Sequence, residues 1–115
     1  MRKAIFTLVA VAISAFSAQA VDFSAADREF DRAADFPGCR KMLLELLPEA
    51  ANDSERAEVY WRLARVQVVI GEAEQTLDGK RAEFGKGLEY ASKAIAADPS
   101  NHWGYMWHSA NVGRE

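Results

Sequence analysis

Apolar positions recur at helical spacing from Ser24 onward, and no stretch alternates apolar and polar residues as a half-buried strand would. The spacing predicts helices over residues 24–34, 37–47, about 52–71, about 81–97 and from 102 onward. The apolar stripes of the first two consist of Ala26, Phe30, Ala33 and Ala34, and of Cys39, Leu43, Leu46 and Leu47. The fold class is therefore all-α.

The third and fourth helices carry the strongest patterns. The apolar residues of the third helix form a band wider than one stripe, which predicts burial against two neighbours; they are Ala57, Tyr60, Trp61, Leu63, Ala64, Val68 and Ile70. Glu58 and Arg62, four residues apart, are expected to form a surface pair. The fourth helix has a face of small and apolar residues that lets two helix backbones approach closely; it consists of Phe84, Gly87, Leu88, Ala91, Ala94 and Ile95.

Short polar residues, proline and glycine mark the helix ends. Pro37 suits a first helical turn, and Asn52 begins a polar stretch that can cap the third helix. The sequence from Asp98 to Asn101 should end the fourth helix and cap the fifth. Between the third and fourth helices, Asp78-Gly79 is a turn signal, so we expect a long turn over residues 72–80.

These residues resemble the tetratricopeptide repeat. In that family a first helix with an aromatic, a leucine and a small residue, ending in a leucine-glycine, precedes a second helix with small residues and a terminal proline. The matching residues here are Tyr60, Leu63, Ala64 and Ile70-Gly71, then Gly87, Ala91, Ala94 and Pro99. The preceding pair, including Ala34-Asp35-Phe36 and Cys39, is a weaker copy. The resemblance implies antiparallel helix pairs stacked as a short right-handed solenoid.

The spacing departs from that family. Trp61-Arg62-Leu63-Ala64 and Trp107-His108-Ser109-Ala110 are 46 residues apart, whereas the usual period is about 34 residues. A period in the forties also fits HEAT-like pairs. The third and fourth helices look more narrowly like the regulator of microtubule dynamics family and like the periplasmic helical-repeat component associated with bacterial TRAP transporters. That component is commonly anchored by a lipid attached to a cysteine near its N-terminus, whereas the single cysteine here is Cys39.

The first twenty residues resemble a secretory signal peptide. Arg2 and Lys3 precede an apolar run over residues 4–16, and Ala18-Gln19-Ala20 supplies small residues for cleavage before Val21. This run of thirteen uncharged residues is shorter than the roughly 20 that span a bilayer. A retained anchor or a buried helix remain alternatives. We expect residues 21–115 to be the mature domain, periplasmic or secreted, with no stable membrane insertion.

The net charge limits the classes of partner, and the cysteine count limits the role of Cys39. Loss of Arg2 and Lys3 leaves 12 basic and 17 acidic residues, a net charge of −5, which disfavours nucleic acid as a partner. The single cysteine, Cys39, cannot form an internal disulfide and is expected to be a small core residue rather than a reactive thiol.

No catalytic, metal or cofactor site is predicted. His102 and His108 are six residues apart, which does not place them on one helix face, and no second cysteine accompanies them. Gly85 and Gly87 lie within a helical pattern and so do not form a phosphate loop. The sequence therefore favours a binding protein over an enzyme.

Six residues are candidates for partner binding, because arginine and large aromatic side chains are frequent in binding hot spots: Arg62, Arg65, Trp61, Trp103, Tyr105 and Trp107. The alternative is that the tryptophans are core and the arginines solvated. We expect a protein or peptide partner on the concave face formed by the first helix of each pair. The rival hypothesis is a small-molecule-binding or accessory component of a periplasmic transport system, with an apolar ligand. We also expect the solenoid to be incomplete at its C-terminus, because the fifth helix has an apolar face that no later helix covers.

Overall fold

The computed structural model describes residues 20–33 and 35–114, and within this part all regular structure is helical. The predicted signal peptide falls almost wholly outside the described residues, as do Ala34 and Glu115. The first helix begins as α1 (Ser24–Arg28) and continues as a π-helical turn (Glu29–Ala33). It is followed by α2 (Phe36–Leu46), which ends in a 3₁₀ turn (Leu47–Glu49), then α3 (Asp53–Ala73), α4 (Leu77–Ala97) and α5 (His102–Arg114).

The predicted caps are confirmed. Asn52 Oδ1 accepts a hydrogen bond from the Glu55 amide at 2.9 Å, which satisfies a free N–H at the start of α3. Asn101 Oδ1 does the same for the Trp103 amide at 3.0 Å. Pro37 lies in the first turn of α2, where its missing N–H costs no helical hydrogen bond.

The connection between α3 and α4 corrects the expected long turn. α3 continues past Gly71 to Ala73, and α4 begins at Leu77 rather than near residue 81, so only residues 74–76 connect them. The Thr76 side chain caps α4 by accepting from the Gly79 amide at 2.9 Å, which places Asp78-Gly79 in the first helical turn. Because both helices have 21 residues, the long period comes from long helices.

Contacts along the chain give the helix directions. Ala26 contacts Cys39 and Phe30 contacts Phe36, so the first helix is antiparallel to α2. Tyr60 stacks on Tyr90 and Gly71 lies beneath Phe84, so α3 is antiparallel to α4. In contrast, α1, α3 and α5 run parallel. Contacts between α1 and α3 join residues 35 to 38 positions apart, and those between the start of α5 and α3 join residues 43 positions apart.

The core lies around α3, as its wide apolar band predicted. Val59, Leu63 and Val66 are fully buried together with Cys39 and Leu43 of α2 and Ala26 of α1. Ala64, Ala91 and Ala94 are also buried, which confirms the prediction of small residues on inner faces. Gly71 lies directly beneath the Phe84 ring: a Cβ there would approach Phe84 Cε1 to 2.5 Å.

Two buried polar side chains join the helices, and neither was predicted from the sequence. Gln67 of α3 donates from Nε2 to the Glu83 carbonyl and side chain, both at 2.9 Å, and its Oε1 accepts from Arg40 Nη1 at 2.8 Å. This hydrogen bond from Gln67 lowers the pKa of Glu83. The network therefore links α2, α3 and α4.

Asn111 of α5 is the second buried polar residue. Its Nδ2 donates to the Ala64 carbonyl at 3.2 Å and to the Trp107 carbonyl at 2.8 Å. Its Oδ1 lies where a Cβ on Gly87 would be, at 2.0 Å from that position. Gly87 is thus required by the Asn111 side chain, and the pair holds α5 against both α3 and α4.

Candidate functional site

The six predicted site residues lie on two of the three parallel helices. Trp61, Arg62 and Arg65 belong to α3, whereas Trp103, Tyr105 and Trp107 belong to α5. The helices are joined at the site by an aromatic pair: the rings of Trp61 and Trp103 stack with centroids 5.3 Å apart and planes inclined by 24°. Trp61 is 6% exposed and Trp103 is 37% exposed, so one tryptophan is core and the other faces solvent.

The two arginines are held by a single carboxylate of α1. Arg62 donates from Nε to Asp27 Oδ1 at 3.0 Å and from Nη2 to Asp27 Oδ2 at 3.3 Å. Arg65 Nη2 donates to Asp27 Oδ1 at 3.2 Å. Arg62 also donates from Nη1 to Glu58 Oε1 at 2.9 Å, as the predicted pair requires.

Aromatic rings enclose both guanidinium groups. The Arg62 guanidinium carbon lies 3.9 Å from the ring centroid of Phe23 and 4.4 Å from that of Trp61. The Arg65 guanidinium carbon lies 3.9 Å from the Phe30 centroid and 5.2 Å from that of Trp61. These cation–π contacts strengthen as the groups are removed from water. We call the residues that share these contacts the arginine–aromatic cluster: Phe23, Asp27, Phe30, Trp61, Arg62 and Arg65.

The cluster leaves the two candidate binding arginines largely covered rather than open to a partner. The side chains of Arg62 and Arg65 are only 12% and 17% exposed, and their hydrogen bonds go to Asp27 and Glu58. The Glu58–Arg62 pair is present, but Arg62 is not on the surface. Both arginines attach α1 to α3, which argues for a structural role that the sequence interpretation did not assign to them.

The exposed part of the site is on α5. Trp103 is 37%, Tyr105 47% and Met106 50% exposed, and we call these three residues the α5 aromatic surface. Trp107, predicted to be exposed, is half-buried, and its indole Nε1 is buried without a hydrogen-bond partner among the described residues. Trp103 and Met106, three residues apart, share one face of the helix, and exposed apolar side chains that lie together in this way mark interaction sites.

Two contacts fix the position of this surface. Asn101, immediately before α5, donates from Nδ2 to Glu58 Oε2 at 2.6 Å, and Glu58 also binds Arg62. At the other end of the helix, Arg114 Nε donates to Glu72 Oε2 at 2.8 Å. With Asn111 between them, these contacts hold α5 along α3, so its aromatic side chains project from a fixed support.

The single cysteine, Cys39, is buried. Cys39 is 1% exposed and its Sγ donates to the Ala26 carbonyl at 3.4 Å. Burial raises the pKa of the Cys39 thiol from 9.0 to about 11, so the reactive thiolate is scarce near neutral pH. This confirms the small core residue expected from the sequence. His102 lies beside Trp103, with ring centroids 4.7 Å apart. Within residues 20–33 and 35–114, no group of three metal-binding side chains is found.

Three open grooves lie on the surface of the described residues. One of about 270 Å³ lies between α2, α3 and α4, beside Tyr60 and Tyr90. The other two, of about 250 and 240 Å³, adjoin each other along the first helix and α2. None of the three is lined by residues of the α5 aromatic surface.

Comparisons of this chain with protein-family models, with curated proteins and with solved structures found no significant match. The tetratricopeptide resemblance therefore stays a prediction. In the part of the chain that the structure describes, no helix has the length and apolar character needed to cross a bilayer.

Sequence reasoning missed Asp27, which binds the two site arginines, and the buried Gln67 and Asn111, which join the helices. Gln67 had a signal, because it interrupts the β-branched run from Val66 to Ile70. Asn111 shares one helix face with Trp107, four residues earlier. Asp27 had no such signal in the sequence, because its partners Arg62 and Arg65 are 35 and 38 residues away.

Proposed function

We propose that this chain is an exported, non-catalytic helical-repeat scaffold that binds a protein or peptide partner through the face formed by α1, α3 and α5. The observation that carries the proposal is the α5 aromatic surface, where three large side chains are 37% to 50% exposed on a helix held in place at both ends. Rigid aromatic groups lose little side-chain entropy on binding, which suits them to recognition.

The helix directions support a repeat architecture. α1, α3 and α5 are parallel and α2 and α4 run the opposite way, which is the arrangement of stacked helix pairs. In a tetratricopeptide-like stack the first helix of each pair lines the concave face, and here those helices carry the arginine–aromatic cluster and the α5 aromatic surface. The cluster would fix the curvature of this face and the α5 surface would contact the partner.

The rival hypothesis of a small-molecule carrier or transport accessory has less support. Ligand pockets are typically about 300–1,000 Å³ and bury most of their ligand, whereas the three grooves are open and have volumes of about 240 to 270 Å³. Binding of a protein or peptide is therefore the better-supported hypothesis.

The experiment is a quantitative affinity purification from the host, followed by titration of the recovered partner. Tyr105→Asp and Met106→Asp place a charge on the α5 aromatic surface, and Leu77→Asp on α4 is the matched control because Leu77 is also apolar and is 61% exposed. We expect the α5 variants to lose at least about tenfold in affinity, which corresponds to about 1.4 kcal/mol, with unchanged melting temperatures. Equal binding by all three variants would refute the proposal.

A further inference from the structure

The first helix and α2 present a second surface, on the side that faces away from α3. The spacing of Ala25, Arg28 and Arg32 places them opposite Phe23 and Asp27, which contact α3. Two adjoining grooves of about 250 and 240 Å³ lie along this side, and both are lined by Ala25 and Met42. The surface thus has a small apolar centre, which we call the Ala25–Met42 centre.

The two ends of this surface have opposite charge. Beyond one side of the Ala25–Met42 centre, the groove is lined by Asp22, Glu45 and Glu49. Beyond the other side it is lined by Arg28 and Arg32, with Glu29 between them. The first end therefore carries three carboxylates, and the second a net charge of +1.

Four of the charges at these ends have no ion-pair partner in the part of the chain that the structure describes. They are Arg28, Arg32, Glu45 and Glu49, whereas the Asp22 carboxylate accepts from the Ser24 amide and hydroxyl. All four of these side chains are exposed to solvent. Such a set of exposed opposite charges around an apolar centre is suited to recognise a surface with the reverse arrangement.

A second copy of the chain, rotated by 180°, has that reverse arrangement. A two-fold interface uses the same patch on both subunits and so must be self-complementary. With the axis through the Ala25–Met42 centre, the acidic end of each copy faces the basic end of the other, and each charge contact occurs twice. Complementary charges at the ends of a small apolar contact set the register and orientation of association.

We propose that the surface formed by the first helix and α2 is a self-association site, on which a second copy of this chain docks about a two-fold axis. The docking helix is short: Ser24 to Ala33 spans about 15 Å. The interface therefore belongs to the small, weak class. The net charge, −3 for the printed chain and −5 once residues 1–20 are removed, repels at long range. The dimer should therefore be strongest near 0.1 M salt, where the screening length is about 10 Å, and lost near 1 M, where it is about 3 Å.

Sedimentation equilibrium tests this with the protein expressed from its complete sequence, at concentrations up to about 1 mM because the interface is of the weak class. Arg28→Glu with Arg32→Glu makes the surface wholly acidic, and Glu45→Arg with Glu49→Arg makes it predominantly basic. Each double variant alone should remain monomeric. An equimolar mixture should restore the dimer, because the charge contacts at both ends become attractive again.

Two controls separate this surface from others. Exchanging the exposed pair on α4, Glu89→Lys with Lys93→Glu, should leave the dimer unchanged, and so should Tyr105→Asp on the α5 aromatic surface. If a double variant fails to fold by circular dichroism, Arg32→Gln and Glu49→Gln replace it, each with a weakened dimer expected. A wild-type chain that stays monomeric, a mixture that does not recover the dimer, or a dimer lost only with Tyr105→Asp overturns the proposal.

Discussion

Replacing Gly87 with alanine tests whether α5 is docked as described. A Cβ at this position would lie 2.0 Å from Asn111 Oδ1 and 2.4 Å from Asn111 Cγ. Asn111 is fully buried and its Nδ2 is bonded to the carbonyls of Ala64 and Trp107, so the side chain has no free space into which it can rotate. Either α5 shifts away or the two hydrogen bonds break.

Gly85, two residues earlier on the same helix, is the matched control, because a Cβ there meets nothing within 4 Å. Alanine in place of glycine within a helix gains about 0.5–1 kcal/mol, and this gain is common to both variants. The difference between Gly85→Ala and Gly87→Ala therefore isolates the steric term, which for overpacking is about 1–3 kcal/mol. For a domain of this size we expect the two melting temperatures to differ by about 4 °C or more.

Thermal and urea unfolding followed by circular dichroism measure the difference. Adding Asn111→Ser to Gly87→Ala shortens the clashing side chain, so the two substitutions should be coupled and the double variant should recover part of the loss. If Gly85→Ala and Gly87→Ala stabilise the protein equally, Asn111 is not seated against Gly87 and the position of α5 is wrong.

Three further predictions concern the arginine–aromatic cluster, the core thiol and the mature terminus. Asp27→Ala leaves two largely buried guanidinium groups without their shared carboxylate, so it should lower the free energy of unfolding in urea by about 1–3 kcal/mol. The control Glu89→Ala breaks the exposed pair with Lys93 and should lower it by less than about 1 kcal/mol. Cys39 should react with Ellman's reagent only on unfolding. Burial raises the pKa of its thiol from 9.0 to about 11, so the contribution of the protonated thiol to stability should be complete below pH 9.0 and decline as the pH rises to about 11. Equally fast labelling of native and unfolded protein would contradict its burial. Mass spectrometry of exported protein should give Val21 as the first residue, and a retained Met1 would contradict export with cleavage.

The helices and their caps could be predicted from the sequence because their causes are local. Asn52 and Asn101 cap the residues that follow them within one turn, and Ala91 and Ala94 share a face with Phe84. The long turn predicted from Asp78-Gly79 was wrong for a local reason as well, because this pair also fits a first helical turn when Thr76 supplies the cap.

The support of the site could not be predicted, because it depends on distant partners. Arg62 and Arg65 were predicted to bind a partner because arginine is frequent in binding hot spots. Their burial depends on Asp27, Phe23 and Phe30 of the first helical segment, which the sequence does not place beside them. Gly87 was correctly placed on an inner face, but the group that requires it, Asn111, lies on another helix. Trp103 and Tyr105 of the α5 aromatic surface, in contrast, were among the six residues predicted from residue type, whereas Met106 was not.

Site-specific photocrosslinking in the native host tests the proposed binding function most directly. A benzophenone amino acid replaces either Tyr105 on the α5 aromatic surface or Leu77 on α4, two positions with 47% and 61% exposure. We predict that position 105 gives a discrete adduct with one protein or peptide, that Met106→Asp abolishes this adduct, and that position 77 gives none. The same adducts from both positions, or none from position 105, would contradict the assignment of this chain as a scaffold that binds its partner through α5.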